Sequence, residues 1–173
     1  MRPCFTLGEA LRRAPRYAEL GIAWFEEPLP ADDLGGHARL AAAGAVPLAV
    51  GESLYSPAQF AAYVQHGACS IVQVDVARVG GITPWLKVAH LAEAFNLAVC
   101  PHFLMELHVS LTAAAPAATW LEYIPQLDAV ASSRLVIEDG MAVAPEAPGL
   151  GIASRDDELD RRAVARHLIQ AET

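Results

Sequence analysis

Five short apolar runs recur along this 173-residue chain, and segments of helical periodicity separate them. The runs are Ile22–Phe25, Pro47–Val50, Ser70–Val74, Leu97–Cys100 and Ala118–Leu121. Strands that are apolar on both faces and alternate with helices build a parallel sheet covered by helices. The expected class is therefore α/β, with about five parallel strands.

The helical segments carry their own punctuation. "TLGEALRRAPRYAELG" opens with Thr6 and Glu9 in capping-box spacing and stops at Gly21, with Pro15 expected to kink or break it. In "SPAQFAAYVQHG", Ser56 caps, Pro57 takes the first helical position and Gln59 completes a box. Thr83 and Pro84 repeat the cap-then-proline device, and Gly67 and Asn96 serve as left-handed stops. A further helix is expected from about Phe103 to Ala114, ended by Pro116. After Glu122 the alternation ends. "RLVIEDGMAV" reads as a hairpin turning at Asp139-Gly140, and "RDDELDRRAVARHLI" as a last helix.

Every apolar run delivers an acid or a histidine at or near its C-terminal end. The stretch "WFEEPLP" places Glu26 and Glu27 after the first run, and Glu52, Asp75, His102 and Glu122 follow the others. Successive steps are 26, 23, 27 and 20 residues, each about one βα unit. A single strand-end acid reads as the place where the chain reaches water. Recurrence at five strand ends points further, because parallel sheets and βα barrels gather ligands at that edge. Several carboxylates stay ionised close together when a cation lies among them, and Mg²⁺ takes a few carboxylates with water or substrate oxygens. Glu26 and Glu52 suit that role. Asp75 and His102 suit a dyad in which the carboxylate orients the imidazole and raises its basicity. Glu122 suits a protonated acid donating to a substrate oxyanion, or equally an acceptor of backbone hydrogen bonds. Glu27 fits a supporting role behind the ligands, and Arg78 either an ion pair at the site or a surface pair. Gly80-Gly81 reads as a tight loop without the surroundings of a phosphate cradle.

Composition excludes several alternatives. A net charge of −8 without a Lys/Arg stripe argues against nucleic acid. No apolar run approaches the ~20 residues of a membrane span, and "MRPCFTLGEALRR" lacks the apolar segment of a signal peptide. Cys4, Cys69 and Cys100 have no metal-site spacing and read as buried, reduced thiols, so a cytoplasmic location is the expectation. His37, His66, His90, His108 and His167 fall on expected helices and read as structural or solvated.

The segments "WFEEPLP", "GESLYSP", "VDVARVGGIT", "PHFLMELH" and "WLEY", in this order, resemble the enolase superfamily. Within it the mandelate racemase/muconate lactonizing enzyme family is most similar, and its acid-sugar dehydratases more so than mandelate racemase itself. The resemblance covers about Thr6 to Ile152. It implies a partial (β/α)₇β TIM-type barrel, of which the fourth to eighth strands are present. It also implies Glu26 and Glu52 as Mg²⁺ ligands, Asp75 and His102 as the base dyad, and Glu122 as the electrophilic acid. In the muconate-cycloisomerase and dipeptide-epimerase branches a lysine stands in place of Asp75, so the dyad favours a dehydratase or a racemase. The implied chemistry is Mg²⁺-dependent removal of the proton α to a carboxylate of an acid sugar.

Parts of the family pattern have no counterpart in this sequence. A third metal ligand, an Asp in an Asp-x-Asn segment, would fall one position before Met1, its Asn aligning with Arg2. The second-strand lysine pair and the substrate-selecting N-terminal capping domain are also missing. Residues 1–173 are thus expected to be the C-terminal part of a barrel domain, inactive alone, forming a homo-oligomer or needing the missing N-terminal part. A non-catalytic remnant and half of a split enzyme are the rival expectations.

Overall fold

A computed structural model describes residues 5–165 and 167. Four two- or three-residue strands form a parallel sheet: β1 (Phe25–Glu26), β2 (Leu48–Val50), β3 (Ile71–Val72) and β4 (Ala98–Val99). Their spatial order is their sequence order, with Phe25 opposite Leu48, Ala49 opposite Ile71, and Ile71 opposite Ala98. Consecutive parallel strands joined by right-handed crossovers keep their helices on one face, as in a barrel wall. The fifth run adds one parallel bridge, Val99 to Ala118. There Val99 N–H donates to Ala117 O (2.8 Å) and Thr119 N–H donates to Val99 O (3.0 Å).

The strands are shorter than the apolar runs. Ile22 and Ala23 are exposed and precede the ladder, which begins where Phe25 N–H meets Pro47 O at 2.8 Å. The core nonetheless forms two buried clusters, the larger under β2–β4 and the smaller under β1 and the first two helices. Val50, Val72, Val74 and Val99 from the sheet pack against Phe60 and Val64, Trp85 and Val88, and Leu111. These come from α3 (Pro57–Gln65), α4 (Ile82–Ala94) and α5 (Met105–Ala114).

Helix α1 (Leu7–Glu19) has the expected capping box, with Glu9 N–H donating to Thr6 Oγ1 and Thr6 N–H to Glu9 Oε2. Contrary to expectation, Pro15 neither ends nor divides it. An interior proline costs about 3 kcal/mol or more, but Pro15 lies on the solvent side. The opposite face buries Ala10 and Ala14 against Phe25, Leu29 and Leu40. Helix α2 (Leu34–Ala42) is capped by Asp33, whose Oδ1 accepts from Gly36 N–H at 2.8 Å. Helix α4 starts at Ile82, one residue before the expected cap Thr83. Gly81 instead serves as N-cap at φ +111°, a conformation that suits glycine, and makes no side-chain cap bond. Gln59 bonds Tyr55 N–H at 2.6 Å rather than closing a box on Ser56.

The C-terminal hairpin forms as expected. Strands β5 (Val136–Glu138) and β6 (Met141–Val143) pair antiparallel around Asp139 and Gly140, both at positive φ, the signature of a type I′ turn. Helix α6 (Asp156–Arg162) is shorter than the charged tail implied, so His167 lies beyond it rather than on a helix. Cys69 and Cys100 are buried free thiols, while Met1, Arg2 and Cys4 lie outside the described residues. Among the described residues no helix is long and apolar enough to cross a membrane.

Candidate active site

Asp75 is the fixed point of the sheet's carboxyl edge. Only 2% of its surface is exposed. Its Oδ1 accepts from Ala77 N–H (2.8 Å) and Arg78 N–H (3.2 Å), and its Oδ2 lies 2.9 Å from His102 Nδ1. Burial pushes the Asp75 carboxyl up. The His102 hydrogen bond and the two backbone donors outweigh it and hold the group below the usual carboxylate range. The Asp75 bond raises the His102 imidazole above its ordinary value against desolvation, with Glu52 and Glu122 adding to the effect. Nδ1–H therefore donates to Asp75, which leaves Nε2 for chemistry.

Glu52 holds that second nitrogen, with its Oε2 3.1 Å from His102 Nε2. Arg78 clamps Glu52 from the other side, through Nη1 to the backbone oxygen (2.6 Å) and to Oε1 (3.4 Å), and its Nε lies 3.7 Å from Asp75. Arg78 thus pairs with two of the strand-end acids, Glu52 and Asp75.

Glu27 is half-buried at φ +34° and accepts from Gly51 N–H, Ser53 N–H and Ser53 Oγ–H at 3.2, 2.9 and 2.6 Å. It ties the β1 loop to the β2 loop and so positions Glu26 and Glu52 relative to each other. Gly51 is required at that junction, because a Cβ there would lie 2.3 Å from the Gln73 backbone. Glu26 itself is exposed, with its Oε2 accepting from Gln73 Nε2 at 2.9 Å.

Glu122 is exposed, and its Oε2 accepts from Phe103 N–H at 2.6 Å. That bond places its carboxyl group beside His102. Gln73, which sequence reasoning passed over, and His108, read there as structural or solvated, complete the cluster. Gln73, buried inside the third run, reaches Glu26; a polar amide within an apolar strand was its signal. His108, fully buried on α5, donates through Nδ1–H to Phe103 O (2.7 Å) and accepts Val76 N–H at Nε2 (3.0 Å). That bridge joins the loop after Asp75 to the loop after His102 and fixes the spacing of the dyad.

Glu26 and Glu52 bring carboxylate oxygens, the hard donors Mg²⁺ takes, to the ends of adjacent strands. Among the described residues no group of three or more His, Cys, Asp or Glu is arranged to hold a metal.

A singly wound parallel sheet with acids and one histidine gathered at its carboxyl edge is built as a segment of a βα barrel, whose ligand edge is that one. The chain belongs to the enolase C-terminal domain-like family, which matches residues 2–158. It is 39% identical over 142 residues to L-talarate/galactarate dehydratase of Salmonella typhimurium, covering 82% of this chain and 36% of that protein. Among solved structures it resembles L-talarate dehydratase from Polaromonas sp. JS666, complexed with Mg and L-glucarate. There the TM-score is 0.84 at 39% identity, covering 90% of this chain and 44% of that one. A racemase from Streptomyces coelicolor A3(2) with bound magnesium matches with a TM-score of 0.88 at 34% identity, over 92% of this chain and 44% of that one. The chain thus spans less than half the length of these relatives.

Proposed function

We propose that this chain forms the proton-transfer half of a Mg²⁺-dependent acid-sugar dehydratase. The observation that carries the reading is the His102 imidazole, held by a buried Asp75 at Nδ1 and turned with Nε2 toward the Glu52 carboxylate. Its relatives include dehydratases acting on acid sugars. Glu26 and Glu52 would hold Mg²⁺, which when bound supplies positive charge for the substrate carboxylate.

In this reading Asp75 keeps Nδ1 protonated and the ring aimed, and Nε2 takes the proton from the carbon α to the carboxylate. Glu52 occupies Nε2 in this structure, so proton transfer requires its carboxylate to turn away from the imidazole. The C–H electron pair then forms the carbon–carbon double bond as the β-hydroxyl departs. The proton on His102 leaves with it as water, and the enol product ketonises to a 2-keto-3-deoxy acid. Glu122, beside Phe103 N–H, would face the substrate carboxylate oxygen as the acid.

A racemase shares the first step, and the Streptomyces structural relative favours keeping that second reading. It returns the proton from a second base on the opposite face. Substrate selection and a third metal ligand would come from residues outside this chain. The test is to complement the chain with the N-terminal half of the Salmonella relative and supply galactarate with Mg²⁺. A 2-keto-3-deoxy acid is expected. Recovery of a C2 epimer would favour the racemase, and an unchanged substrate with a well-folded complex would overturn both readings.

A further inference from the structure

A cavity of about 390 Å³ opens between α5 and the β5–β6 hairpin, lined by none of the strand-end acids and not by His102. Its size falls at the lower end of small-ligand pockets. Val109, Val136, Val143, Leu150 and Ile152 give it an apolar wall. Glu106, in the first turn of α5, is also part of that wall. Only 7% of its surface is exposed, and neither carboxylate oxygen has a hydrogen-bond partner. His37 Nε2 and Trp85 Nε1 are the other buried side-chain polar atoms without a partner among the described residues, and neither lines this cavity.

A carboxylate taken out of water without a donor is costly, and natural interiors pair such groups. Nothing in the cavity wall pairs Glu106. The remaining charged lining residues are Glu138, Glu146 and Arg134, and the Arg134 Nε lies 3.7 Å from Asp128, which is not part of the cavity wall. Three carboxylates therefore face one guanidinium that is drawn elsewhere. An apolar wall with a desolvated acid at one side matches a cation carried on a short aliphatic stem.

We infer that this cavity is a binding site for an alkylguanidinium or alkylammonium group, anchored by the Glu106 carboxylate. A guanidinium satisfies both carboxylate oxygens at once through paired N–H donors, while its stem lies along Val109, Val143 and Ile152. The group can arrive as a free ligand or as an arginine side chain of a second copy. The site is independent of the dehydratase reading, because it uses none of the same residues.

The probe is n-butylguanidinium, followed by saturation-transfer difference NMR on the whole chain, with the neutral isostere n-butylurea as control. The cation is expected to bind and the urea not to. Glu106→Gln, which keeps the shape and removes the charge, is expected to weaken binding roughly 10- to 100-fold. Val143→Trp, which fills the cavity and leaves Glu106 in place, is expected to remove it. Mass measurement of the chain with and without probe separates the sources. A fall in oligomer mass on adding butylguanidinium identifies a displaced arginine of a second copy, and binding at constant mass identifies a free-ligand site. Equal binding of cation and urea, or cation binding that survives Glu106→Gln, would overturn the inference; the second result would place the probe at the strand-end acids instead.

Discussion

The two ends of the strand-end cluster differ in how fully this chain builds them. At the β3–β4 end, Asp75 is buried and both its oxygens are occupied, His102 is held at both nitrogens, and His108 braces the two loops from beneath. At the β1 end, Glu26 is exposed and has one side-chain partner, Gln73, and β1 is the edge of the sheet. Asp75 and His102 are thus held on several sides by this chain's own groups, whereas Glu26 rests on one buried amide and on the Glu27 tie between the β1 and β2 loops. Polar groups whose partners all lie within one chain keep their geometry when isolated, and groups on an unpaired edge do not.

The contrast can be broken from either end. Asp75→Asn should have the largest effect, because it removes the charge that orients and raises His102. In the complemented protein, turnover should fall by roughly 10²–10⁴-fold, read from initial rates, with Mg²⁺ affinity nearly unchanged. Gln73→Leu should do the reverse. It releases Glu26 and should weaken Mg²⁺ binding about 10- to 100-fold in a calorimetric titration, while saturating Mg²⁺ restores turnover. Equal damage to both readouts by both variants would erase the distinction. His108→Leu leaves Val76 N–H and Phe103 C=O unpaired and should cost about 1–3 kcal/mol for each, measured by denaturant unfolding.

The smallest effect concerns pH. Burial pushes the imidazoles of both His37 and His108 below the ordinary value, against the hydrogen bonds they make to backbone carbonyls. A folded value below the unfolded one means that the unfolded chain takes up protons first as pH falls. Stability contributed by these two groups is therefore intact above about 6.5 and declines below it, down to their folded values. His102, raised in the fold, acts with the opposite sign. Thermal unfolding of a His37→Leu variant should lose less stability between about pH 7 and pH 5.5 than the unmodified chain does; an equal or larger loss would contradict the assignment.

Much of this was legible in the sequence. Acids after apolar runs marked the sheet edge, the cap residues marked α1 and α3, and Asp139-Gly140 marked the hairpin. Strand lengths were not legible, because a ladder forms only where a neighbour is in register, and Ile22 and Ala23 have none. The helix-breaking tendency of Pro15 is a local preference that the burial of Ala10 and Ala14 overrides. Long-range pairings escaped for a different reason. Nothing local to Gln73 names Glu26 as its partner, and an acid in the first turn of α5 looks like ordinary helix-dipole complementation until its burial is seen. The Glu52–His102 contact is similar, since both residues were read for other roles.

Exchange of the substrate's α-proton with solvent tests the role of His102 most directly. The complemented protein in deuterated water with Mg²⁺ and galactarate should exchange the substrate's α-proton for deuterium or form the 2-keto-3-deoxy acid, with deuterium entering at C3 on ketonisation, and His102→Asn should abolish both. Retention of α-exchange by His102→Asn would remove the histidine from the proton transfer and leave the Asp75–His102 pair a structural feature of the fold.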